Sequence, residues 1–115
     1  MFDENCIFCK IAKGEIPANK VYEDDDMIII NDLNPQAQVH LLLIPKDHYA
    51  NIIEMTSEQA ATLAKCVKKL STLVDELGLK DGFRLVSNKG ENGCQSVQHL
   101  HIHILGGQKL DDKMC

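Results

Sequence analysis

The sequence predicts an α+β fold, an antiparallel five-stranded sheet with one main helix and a short N-terminal helix. Three observations predict it. One long amphipathic helical pattern, residues 57–77, stands alone in the middle of the chain. Three short apolar runs precede it and two follow it. The last two runs are joined by a loop too short for a crossover, so they pair antiparallel. A chain of 115 residues reads as one domain, residues 1–115.

The elements follow in order. "CIFCKIAKGEIP" forms one or two helical turns, which Gly14 and Pro17 end. "KVYEDDDMIIIND" reads as a hairpin: Val21 to Glu23, an acidic turn, then Met27 to Asn31. The run Glu23-Asp24-Asp25-Asp26 is read as a solvated turn rather than a binding site. "VHLLLIP" is a buried strand closed by Pro45. In "TSEQ", Thr56 and Gln59 have the spacing of a capping box. Leu63, Val67, Leu70, Val74 and Leu77 then line one helix face, and Gly78 is placed to close it. Ala60, Ala61 and Ala64 could admit another helix closely, from this chain or a second copy. "GFRLVSN" and "VQHLHIHIL" are the last two strands, and "KGENGCQ" is the loop between them.

Composition narrows the function. The net charge of −5 argues against broad binding to nucleic acid or anionic membrane, which needs basic patches. No stretch approaches the ~20 apolar residues of a membrane span. Five cysteines, with no secretory signal ahead of them, suit a reducing cytoplasm and metal or free-thiol roles. With no Trp, three Phe and two Tyr, the core is built mostly of Ile, Leu and Val.

The last strand carries the chemistry. His99, His101 and His103 share one face with Val97 and Leu105, while Gln98, Leu100, Ile102 and Ile104 share the other. The mostly apolar face belongs against the helix. Strand propensity does not explain three imidazoles in register. They could ligate a catalytic zinc, or one could be a nucleophile or base oriented by its neighbours. The Gly-rich "NKGENGCQS" just before them suits close approach of backbone N–H groups to a phosphate.

"GCQSVQHLHIHI", "DLNPQAQVHLLLIPKDH" and "CIFCKIAKGEIPANKVYEDD" together resemble the histidine triad family over residues 5 to 107. "NPQAQVHLLLIPK" and "LGG" resemble its nucleotide-binding, HINT-type branch. The resemblance implies a homodimer with a ten-stranded sheet. It also implies hydrolysis of purine nucleoside phosphoramidates to the nucleoside 5′-monophosphate, of AMP or GMP type.

The resemblance further implies site roles. His101 aligns with the nucleophile, forming a nucleotidyl-histidine that water hydrolyses. His103 bonds a phosphate oxygen and His40 supports the network. Ser96 and the N–H groups of Cys94, Gln95 and Ser96 contact phosphate and leaving group. Asn88 holds phosphate or sugar, and Asp32 accepts from the ribose hydroxyls. Ile7, Phe8, Ile11, Ile16, Ile30 and Leu33 form the base slot or, alternatively, ordinary core. In some relatives the Cys-x-x-Cys pair binds structural zinc with two histidines, and the matching positions here are Cys6, Cys9, His48 and His99. Zinc would be a structural cofactor, and the chemistry would require none. Other readings are a non-catalytic purine-nucleotide module and a hydrolase using the triad histidines as zinc ligands.

Two features depart from the family pattern. Cys94 stands where a small residue, often Gly, is usual. The tail "QKLDDKMC" lacks the aromatic and proline residues of animal relatives, which bears on the leaving group. Cys66 and Cys115 are expected to be incidental.

Overall fold

The computed structural model describes residues 2–113, so Cys115 lies outside the described residues. Helix α1 spans Ile7–Lys13. Cys6 caps its N-terminus by accepting the Cys9 N–H on Sγ. Gly14 closes it in the left-handed region, at φ +86°, with its N–H on Lys10 and Ile11 carbonyls. Strands β1 (Lys20–Glu23) and β2 (Met27–Asn31) form the expected hairpin. Its turn is built by Asp24, whose Oδ1 accepts the N–H groups of Asp26 and Met27.

Strand β3 spans Val39–Pro45 and pairs antiparallel with β2. Helix α2 spans Ser57–Leu70, and both halves of its capping box are present. Strands β4 (Phe83–Ser87) and β5 (Ile102–Gly106) complete the sheet. Its order is β1-β2-β3-β5-β4, with antiparallel neighbours throughout. The histidine strand therefore lies between β3 and β4.

Strand parity divides the core into two layers. Met27 and Ile29 on β2, Leu41 and Leu43 on β3, and Ile102 and Ile104 on β5 pack with Cys66 and Leu70 of α2. Ile28, Ile30, Leu42 and Ile44 face the other way, onto Phe8, Cys9 and Ile11 of α1. Both faces of the sheet are thus covered. His40 and His103 have the parity of the α1 layer, so α1 sits over the histidine face.

The structure corrects three expectations. Helix α2 ends at Leu70 rather than Leu77, because Ser71 and Thr72 turn back. Their hydroxyls bond the carbonyls of Lys68 and Lys69, at 2.6 and 2.7 Å, in competition with helical hydrogen bonds. Gly78 instead ends the turns that follow, with φ +77°. The buried line of α2 runs through Cys66 and Leu70, so Cys66 is core, whereas Val67 is 36% exposed. The last strand begins at Ile102 rather than Val97, because the Leu100 N–H bonds the Tyr49 carbonyl, at 2.7 Å, in the segment beyond β3. No helix among the described residues is long and apolar enough to cross a membrane.

Candidate functional site

The three histidines of the row take three different hydrogen-bond environments, and each environment fixes a tautomer. A carbonyl only accepts, so an imidazole nitrogen facing one must carry the proton. His99 Nε2 lies 2.7 Å from the Pro45 carbonyl. Its Nδ1 is therefore unprotonated. His101 Nδ1 lies 2.8 Å from the His99 carbonyl. Its Nε2 therefore keeps a free lone pair. His40 Nδ1 accepts the Gln36 N–H at 2.9 Å, so His40 Nε2 carries the proton. That proton faces His103 Nδ1 at 2.9 Å and Asp32 Oδ2 at 3.3 Å. His103 Nδ1 accepts, and its Nε2 is left as a donor.

His99 joins Cys6, Cys9 and His48. Cys6 Sγ and Cys9 Sγ lie 3.3 and 3.5 Å from His99 Nδ1. His48 Nδ1 lies 3.3 Å from Cys9 Sγ and 3.2 Å from His99 Nδ1. Four tetrahedral zinc ligands at ordinary bond lengths stand roughly 3.3–3.8 Å apart. The donors fit such an ion in spacing and in type. The second nitrogen of His99, anchored on Pro45, supplies the outer contact that metal-bound histidines need. Burial, above all, holds His99 down to about 4, with His48 and His101 adding to it against the Pro45 bond. Burial likewise pushes the metal-free Cys9 thiol up to about 11, so a cation must displace its proton. Asp3, which the sequence did not single out, donates its N–H to Cys9 Sγ at 3.4 Å and lies 3.8 Å from His48 Nε2.

His103, His40 and Asp32 form a second group of close donors. This one does not fit a metal. His40 would have to ligate through Nε2 while its Nδ1 faces the Gln36 N–H, which demands a doubly deprotonated ring. His103 is held below the ordinary histidine range, chiefly by burial and then by His101 and His40, with Asp32 opposing. Among the described residues, His101 belongs to neither donor group. The arrangement therefore opposes one zinc shared by the three triad histidines.

The glycine-containing loop before β5 owes its shape to Gln95. Its side chain accepts the Gly90 N–H and donates to the carbonyls of Ala50 and Val97. A Cβ on Gly93 would stand 2.7 Å from the Lys89 carbonyl oxygen, so only glycine passes there. The N–H groups of Cys94 and Gln95 bond Glu91 and Gly90 within the loop. Ser96 is exposed just beyond them and Asn88 is half-buried after β4. Cys94 has φ +58°, a conformation that favours glycine, and its thiol is exposed.

The apolar candidates separate by position. Phe8, Ile11 and Ile30 are buried in the α1 layer, and Ile16 packs against it. Ile7 is 48% and Leu33 fully exposed. The Phe8 ring stands edge-on to His101, centroids 5.0 Å apart. Sequence reasoning had no signal for Gln36, His99 and Pro45 in their main-chain roles, since any residue brings those atoms.

The HIT domain family model matches residues 13–110. The chain belongs to the histidine triad (HIT) family. Protein HitA of Neisseria gonorrhoeae is 48% identical over 103 residues, 90% of this chain and 96% of that protein. A 14 kDa zinc-binding protein of Zea mays is 40% identical, covering 95% of this chain and 87% of its own. A histidine triad protein from Clostridium difficile has a similar structure, at TM-score 0.92 and 44% identity, covering 97% of this chain and 98% of that one. A HIT family hydrolase from Legionella pneumophila reaches TM-score 0.88 at 43% identity, over 95% and 98% of the two chains. A hypothetical histidine triad nucleotide-binding protein from Sulfolobus tokodaii reaches 0.79 at 38%, over 92% and 71%.

Proposed function

We propose that this HIT protein is a cytoplasmic nucleotidyl hydrolase of the HINT-type branch, acting on purine nucleoside phosphoramidates. The carrying observation is the His101 tautomer. With Nδ1–H tied to the His99 carbonyl, Nε2 offers a lone pair, and the His103 ring lies beside the His101 ring, centroids 5.2 Å apart. His101 Nε2 forms a bond to the α-phosphorus, the P–N bond breaks, and the leaving amine takes a proton from solvent. Water then attacks phosphorus, breaks the Nε2–P bond and returns a proton to solvent. It releases the nucleoside 5′-monophosphate and returns the imidazole. His103 Nε2–H, oriented by His40, donates to a phosphate oxygen throughout. Ser96 contacts phosphate and leaving group, and Asn88 holds phosphate or sugar. Asp32 accepts the ribose hydroxyls. Phe8, Ile11, Ile16 and Ile30 border the base, with Ile7 and Leu33 at its rim. A hydrolase and a nucleotide-binding protein among the structural relatives support the reading.

Zinc is proposed at Cys6, Cys9, His48 and His99, where it would cross-link α1, the exit of β3 and the approach to β5. The maize zinc-binding relative supports this assignment. A second copy is proposed to dock along β4 and α2, whose exposed side chains include Phe83, Leu85, Ala64 and Val67. The decisive test is His101→Ala with adenosine 5′-phosphoramidate as substrate. The reading expects hydrolysis to fall by at least about 10³-fold while AMP still binds. Normal turnover by the variant would remove His101 from the role.

A further inference from the structure

The two centres share a residue. His99 offers Nδ1 to the thiol and imidazole cluster, while its own carbonyl holds His101 Nδ1–H at 2.8 Å. A second tie runs through α1. Phe8 lies between Cys6 and Cys9, and its ring stands edge-on to both His99 and His101, at 5.9 and 5.0 Å. Two of the contacts that orient the His101 ring thus come from one candidate ligand and from a residue that lies between two others in the sequence.

We propose that occupancy of the Cys6, Cys9, His48 and His99 centre sets the reactivity of His101, by fixing the His99 carbonyl and the Phe8 ring that orient it. The inference rests on the nucleotidyl-transfer reading and gives that site a metal-dependent control. His99 and Phe8 are positioning residues here, and the ion takes no part in making or breaking bonds. When the four donors are drawn together, α1 and the approach to β5 are fixed relative to each other. His101 then presents one tautomer. When they separate, the ring samples both tautomers, and the protonated Nε2 form has no lone pair to attack with.

The test uses the full chain with ¹⁵N-labelled histidine, zinc-loaded or stripped with a chelator and reloaded with zinc alone. Long-range ¹H–¹⁵N spectra read the His101 tautomer directly, and kcat and KM are measured on the same samples. Loaded protein should show a single Nδ1–H pattern. Stripping should average that pattern and lower kcat about 10- to 100-fold, with KM little changed. A folded stripped chain that keeps both the pattern and kcat overturns the proposal, since a purely structural ion would behave so. His48→Ala provides a second route, because His48 contacts the cluster and not His101. Its weakened site should let the His101 signal track zinc occupancy through a titration, and a flat signal contradicts the proposal. Wholesale unfolding of both proteins on zinc loss also contradicts it, because the ion would then hold the fold rather than the histidine. If loaded protein fails to cleave phosphoramidate, the hydrolase reading falls, while the tautomer spectra still decide this inference.

Discussion

The two ends of the histidine row have the same residue type at the same spacing and end in opposite chemistry. At the His99 end, two buried thiols and a second imidazole converge on an unprotonated nitrogen. At the His103 end, the His40 imidazole, which also faces the Asp32 carboxylate, donates to Nδ1 and leaves Nε2 of the same ring as a donor. His101, between them, is set by a main-chain carbonyl. The difference teaches that a histidine's role is chosen by what faces its other nitrogen, and strand alternation only brings the three rings to one face.

The largest expected effect separates the ends outright. Cys6→Ser or Cys9→Ser should abolish stoichiometric zinc in metal analysis and destabilise the chain by at least about 3 kcal/mol in denaturant titration. Retained zinc in either variant would break the comparison, since the thiol end would then not be the metal end.

Acid offers the next largest. In the metal-free chain, His99 is fully buried and held to about 4 against an ordinary 6.5. Between those values the unfolded chain binds a proton that the folded chain refuses. Stability therefore falls as pH drops from about 6.5 to about 4, and this group causes no further loss below that. The loss is about 3 kcal/mol. His103, also lowered, contributes in the same direction. Denaturant midpoints at pH 7.5, 5.5 and 4.5 check the sign, and a midpoint that rises on acidification contradicts it.

The smallest effect sharpens the His103 end. His40→Ala frees His103 Nδ1 and should cost about 1–3 kcal/mol of transition-state stabilisation in kcat/KM. Zinc content should stay at the wild-type level. Loss of zinc in this variant would show that the two ends are not separable.

Much of this molecule was legible in its residues. Thr56 and Gln59 marked the start of α2, and alternation placed Leu100, Ile102 and Ile104 under it. The end of α2 was not legible, because Ser71 and Thr72 compete through side-chain hydrogen bonds that a periodicity cannot show. The buried position of Cys66 was not legible either, because it depends on how the helix rolls on the sheet. The proposed zinc set and the proposed nucleophile came from family resemblance rather than from spacing, and the structure shows the hydrogen bonds around them. Those bonds run to Pro45, His99 and Gln36 main-chain atoms, which no side-chain pattern encodes.

The division of the row is tested most directly by a crystal structure grown with zinc and AMP. The account predicts one ion bound by Cys6, Cys9, His48 and His99 at about 2.0–2.3 Å, with the phosphorus facing His101 Nε2 and a phosphate oxygen on His103. Metal on His101, or phosphate seated against His99, would contradict it.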